Sequence, residues 1–193
     1  MPITLSASGV AGVSLPLSRF PAYHARHLAV VANTKALEAR GSALMVAGFP
    51  YPQLQQFIRD VCIWGSYPGI AGRILKQNTS ASICSQFSSA GASFALPSPA
   101  STALSALNAL KGLGTPSFAS KHLRFLRPDI CPVLDSLLSR DLGYPLSVAG
   151  YQQFSGDCCF IAGSLNTAGI ALPTGALWGA ADVEMSIFGC FYL

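Results

Sequence analysis

The residues of this chain that can do chemistry are concentrated in one window, Leu110–Gly143: LKGLGTPSFASKHLRFLRPDICPVLDSLLSRDLG. Asp135 follows Pro132 by three positions, and a proline suits the first turn of a helix. The spacing therefore predicts a helix over residues 132–142 with the Asp135 carboxylate in its first turn. Free backbone N–H groups and the helix dipole favour a negative charge there, which serves capping and electrostatic catalysis alike. Upstream, Gly112-Leu113-Gly114 reads as a tight turn between two helices, with Thr115 leading into the second. N–H groups in such a turn, beside a positive helix end, can hold a phosphate. An ordinary helix–helix corner uses the same residues. Leu113 is expected to anchor the turn in the core.

The order of these parts resembles the helix-hairpin-helix DNA glycosylase superfamily. That superfamily follows its hairpin with [VL]-D-[TS]-x-[VIL]-x-R, and Leu134, Asp135, Ser136, Leu138 and Arg140 match it. Three further segments are similar to a bacterial branch related to 8-oxoguanine DNA glycosylase: WGSYPGIAGRILKQN (64–78), SFASKHLRFL (117–126) and WGAADVEMSIF (178–188). Together the matches span about residues 55–188. The resemblance implies a compact all-α domain over residues 1–193, with the helix-hairpin-helix at about 100–126. It implies duplex DNA as partner, no cofactor and no metal.

It also implies roles for individual residues. Asp135 stays ionised near the sugar of a flipped base and stabilises an oxocarbenium-like centre as the glycosidic bond breaks. Gly112, Leu113, Gly114 and Thr115 bind backbone phosphates beside the lesion. Bifunctional members carry a lysine just after the hairpin that attacks the sugar and forms a Schiff base. Here Ser117 holds that place once one extra residue is allowed, and Lys121 lies four residues later on the same helical face. A desolvated lysine can serve as that nucleophile. The plain alternative for Lys121 is a surface lysine paired with a phosphate or with Asp129. The implied function is excision of a damaged or modified purine, resembling 8-oxoguanine, with or without lyase activity. The alternative is a non-catalytic helix-hairpin-helix module that binds DNA and recruits partners.

Three other groups stand out. Trp64, Tyr67 and Arg73 are placed to frame a base pocket, since aromatics and arginine are the usual platforms for extruded bases; core packing is the structural role open to Trp64. His24 and His27 share a helical face without a third metal ligand in view, which reads as packing. Asp182 and Glu184 are the only acids in the last helix, and a buried Asp–Arg contact is the role expected for them.

Helices must position all of this. Apolar residues recur at three- and four-residue spacing, and strand-like alternation is nearly absent. Helices are expected from Pro21 to Arg40 with Gly41 as stop, from Pro52 to Gly65, and around Gly69–Lys76. Others are expected from Thr79 or Ser80 to Ala95, Ala100 to Lys111, Ser117 to Leu126, Ser147 to Ala168 and Gly175 to Phe191.

Composition sets limits. Only 10% of residues are charged and 51% are hydrophobic, so a large interior is expected. The net charge of +4 suits a polyanion without demanding one. Mean hydropathy is +0.44, yet the uncharged stretches 77–110 and 158–181 are broken by proline and rich in small polar residues. Neither offers the roughly 20 apolar residues of a membrane span. With no basic n-region at the N-terminus, an unexported, cytoplasmic, nucleoid-associated protein is expected. The six cysteines form no C-x-x-C pair, and vicinal Cys158 and Cys159 read as thiols in a helix rather than a redox pair.

Overall fold

The computed structural model describes residues 2–5, 13–113 and 116–193. They form a short antiparallel ribbon, β1 (Pro2–Leu5) with β2 (Val13–Pro16), and ten α-helices. The helices are α1 (Phe20–Val30), α2 (Thr34–Ala47), α3 (Tyr51–Trp64), α4 (Gly69–Gln77) and α5 (Ser80–Ser93). They continue with α6 (Pro99–Asn108), α7 (Pro116–Leu126), α8 (Ser136–Leu142), α9 (Val148–Thr167) and α10 (Ala180–Phe191). The expected all-helical character holds; the ribbon was not anticipated. Among the described residues no helix is long and apolar enough to cross a membrane.

The core is built around α7. Residues Phe118 to Leu126 are buried without a break, including Lys121, His122 and Arg124. Helices α2, α3 and α6 surround it, while α10 packs along α1 and α9. A helix enclosed on every side normally carries few polar groups, because each must find a partner or stay neutral. Arg124 meets the demand only in part: Nη2 donates to Glu38 (3.0 Å) and the guanidinium lies over the faces of Trp64 and Phe125, while its Nε and Nη1 have no hydrogen-bond partner among the described residues. His122 bonds the Phe118 carbonyl at 2.7 Å, and burial pushes its imidazole down to about 4.

Four boundaries differ from expectation. The helix foreseen from Pro21 to Arg40 is two helices, parted at Asn33, which takes a left-handed φ of 64°. Gly41 does not stop a helix but sits inside α2, because a Cβ there would collide with the Phe125 carbonyl where α2 crosses α7. The last helix starts at Ala180, not Gly175: Ala180 and Ala181 donate to the carbonyls of Asp129 and Pro128, both at 2.9 Å, which fixes its first turn.

The fourth concerns the aspartate helix. Residues 131–135 are not helical; the chain runs through the interior and α8 begins only at Ser136. Tyr151 donates to the Pro132 carbonyl at 3.0 Å and Leu134 N–H donates to Ser120 Oγ at 3.2 Å, so α9 and α7 satisfy the groups a helix would have used. Asp135 is consequently the N-cap, accepting from Leu137 N–H and Leu138 N–H at 3.0 Å each.

The hairpin itself joins α6 to α7. Gly112 has φ +81° and Leu113 is buried in the core, as expected of the turn. Gly114 and Thr115 lie outside the described residues.

Candidate active site

The fold brings Lys121 and Asp135 together. Lys121 Nζ lies 3.9 Å from Asp135 Oδ2 and donates to Ser117 Oγ at 3.2 Å. Side chains on a helix lean toward its N-terminus. The lysine one turn late in the sequence thus delivers its amine back to Ser117, the place where the resemblance expects a lysine. Lys121 is only 7% exposed, so it is not a surface residue, and it does not pair with Asp129. Asp129 is held by Arg127 at 2.8 and 2.7 Å. Burial lowers the Lys121 pKa, opposed chiefly by the nearby Asp135. Its stem runs over Gly65, where a Cβ would stand 2.9 Å from Lys121 Cδ, and its amine sits 5.0 Å from the centre of the Phe118 ring.

Both groups open onto a cavity of about 420 Å³ between α1, α3, α7, α10 and the start of α8. Its walls are aromatic: Trp64 closes α3, Tyr67 follows in the α3–α4 turn, Phe118 comes from α7 and Phe188 from α10. Ser66 in that turn has a left-handed φ of 65°. Trp64 packs edge-on against Phe125 with ring centres 4.9 Å apart, and its indole N–H donates to Thr34 Oγ1. It is therefore both a core residue and a cavity wall. Tyr67 is 65% exposed and meets Phe118 edge-on at 5.9 Å, which sets it at the rim. Apolar walls with a few convergent polar groups are the usual form of a small-molecule site.

Two further titratable groups face this space. Glu184 on α10 is 3% exposed, and its Oε2 has no hydrogen-bond partner. Burial pushes its carboxyl up to about 8; Arg124, Lys121 and the Val133 backbone oppose the shift, and Asp135 adds to it. His27 on α1 is pushed down to about 4 by burial, with Arg124 and His24 adding to it. At neutral pH the cavity thus sets an uncharged Glu184 carboxyl and an uncharged His27 imidazole beside the Lys121–Asp135 pair. Titratable groups driven apart in this way are a mark of acid–base sites as well as of ionic networks.

Arg73 is not part of the cavity. It stands on α4 against the hairpin, where a Cβ on Gly112 would come within 3.0 Å of the Arg73 Cβ. The expected Asp–Arg contact of the last helix is also absent. Asp182 bonds His24 Nε2 at 3.1 Å and accepts from Gly179 N–H at 3.0 Å. Burial raises its pKa, but these two hydrogen bonds outweigh that and hold it low. Arg124 turns to Glu38 instead, which leaves Glu184 to the cavity. Glu184, expected only to tie the last helix to the core, faces the cavity instead; its sequence signal is that it is one of just two acids, with Asp182, in a helix otherwise of apolar and small residues. His24 and His27 pack edge-on against Trp178 and Phe188, the packing role expected of them. Among the described residues no cluster of three or more metal-ligating side chains forms. Cys158 is buried in α9 and Cys159 half-buried, both as free thiols.

Comparison of the chain with protein-family models, with curated proteins and with solved structures gave no match.

Proposed function

We propose that this protein is a DNA N-glycosylase that takes a damaged or modified purine, flipped out of duplex DNA, into the aromatic cavity. The observation that carries the reading is Lys121 Nζ held 3.9 Å from Asp135 Oδ2 at a base-sized space of about 420 Å³. The flipped base stacks among Trp64, Tyr67, Phe118 and Phe188, which asks nothing of its sequence context. Asp135, fixed by two backbone N–H groups at a helix start, presents its free oxygen to the sugar as positive charge develops there.

Lys121 in its amine form attacks C1′ while the bond from C1′ to the base nitrogen breaks and its electron pair leaves with the base. The proton shed by the new secondary amine balances the one the departing base takes up. Opening of the sugar then gives the Schiff base, and elimination of the 3′ phosphate cuts the strand. The low pKa that burial imposes on Lys121 enlarges the amine fraction this step needs. The resemblance makes an oxidised guanine the first substrate to try.

The test incubates the protein with duplexes carrying different modified bases and scores free base and strand cleavage separately, with borohydride present in a parallel set. Base release, plus a covalent adduct lost in Lys121→Ala, is expected. Release without an adduct removes Lys121 as nucleophile and leaves a monofunctional enzyme. Duplex binding with no base released from any lesion supports a non-catalytic helix-hairpin-helix module instead.

A further inference from the structure

The excess positive charge of this chain lies in one stretch. Residues 61–128 hold six Lys or Arg and no Asp or Glu, a charge of +6, while the remainder carries −2. The fold uses three of the six internally: Lys121 at Asp135, Arg124 at Glu38 and Arg127 at Asp129. Arg73, Lys76 and Lys111 are exposed, and among the described residues they pair with no carboxylate.

These three belong to different elements that are locked together. Asn78, just past α4, donates from Nδ2 to the Lys111 carbonyl at 2.8 Å and accepts from Lys111 N–H on Oδ1 at 3.1 Å. Gly112 lies against the Arg73 backbone so closely that a side chain there would touch it. The glycine is thus required twice, by its φ of +81° and by this approach. The end of α4 and the start of the hairpin form one rigid cationic corner.

We propose that Arg73, Lys76 and Lys111, clamped by Asn78, form a second grip on the phosphate backbone of duplex DNA alongside the glycine turn. The choice of duplex DNA among polyanions rests on the glycosylase reading; the cationic corner itself does not. Three exposed cations without a carboxylate partner, held on one fixed surface, can each meet a phosphate, and the counterions they displace drive binding.

The measurement is the affinity of the intact protein for an undamaged duplex by fluorescence anisotropy across a salt series. Each of Arg73→Ala, Lys76→Ala and Lys111→Ala should lower the slope of log affinity against log salt by about 0.9. Asn78→Ala should lower it without removing charge, because Lys111 loses its placement. Arg19→Ala, which removes an equal exposed charge far along the sequence, should leave the slope unchanged. Equal slopes for the trio variants and Arg19→Ala overturn the proposal. So does tighter trio-dependent binding to duplex RNA or to phosphatidylglycerol vesicles at the same salt. Salt-dependent duplex binding through this corner with no base release refutes only the excision reading. Base release with unchanged slopes refutes only the grip.

Discussion

Glu184 and Lys121 are both moved from their ordinary ionisation by the same cause, burial, and in opposite directions along the charge scale. Each is driven toward its neutral form, as a low-dielectric site requires. For Glu184 the consequence for stability has a definite sign. Its folded pKa of about 8 lies above the ordinary 4.5, so the folded state holds the proton more tightly. That contribution is complete below pH 4.5 and is lost as pH rises through about 8. Glu184→Gln is always neutral and escapes the loss. Thermal melts at pH 5 and pH 9 should therefore show the variant gaining on the native protein at the higher pH, by at least about 3 °C. An equal difference at both values would mean that the carboxyl is not held neutral in the fold.

At the level of elements, the decisive feature is a helix that starts late. Residues 131–135 are drawn into the interior by bonds to α7 and α9, and this makes Asp135 an N-cap rather than a first-turn residue. Capping and chemistry can then be separated by substitution. Asn caps as well as Asp, whereas Ala leaves the N–H groups of Leu137 and Leu138 without a side-chain partner. Asp135→Ala should cost about 1 kcal/mol of stability in denaturant unfolding, and Asp135→Asn nearly nothing. Comparable losses in both variants would show that the charge, not the cap, stabilises α8. Most helix starts were legible because proline, Thr79 and Ser147 announce them. Gly41 was not, since a glycine chosen for a helix crossing looks the same in sequence as one chosen for a stop.

For the whole molecule, the enclosed helix α7 ties the hairpin to the cavity. It follows in sequence the hairpin whose Gly112 lies against Arg73, and its first turns present Ser117, Phe118 and Lys121 to the space where a base is proposed to sit. The sequence made Asp135 and the aromatic pair readable, because each lies in a local motif. The neutrality of Glu184 and the true place of Arg73 depend on contacts between helices distant in sequence, which no local pattern encodes. The proposed excision depends on Asp135 acting through its charge. Single-turnover base release from a lesion-bearing duplex, measured for the native protein and Asp135→Asn at protein concentrations that saturate binding, tests this most directly. Release should slow by about 100-fold or more in Asp135→Asn, with duplex affinity unchanged. Release at the native rate in Asp135→Asn would contradict it.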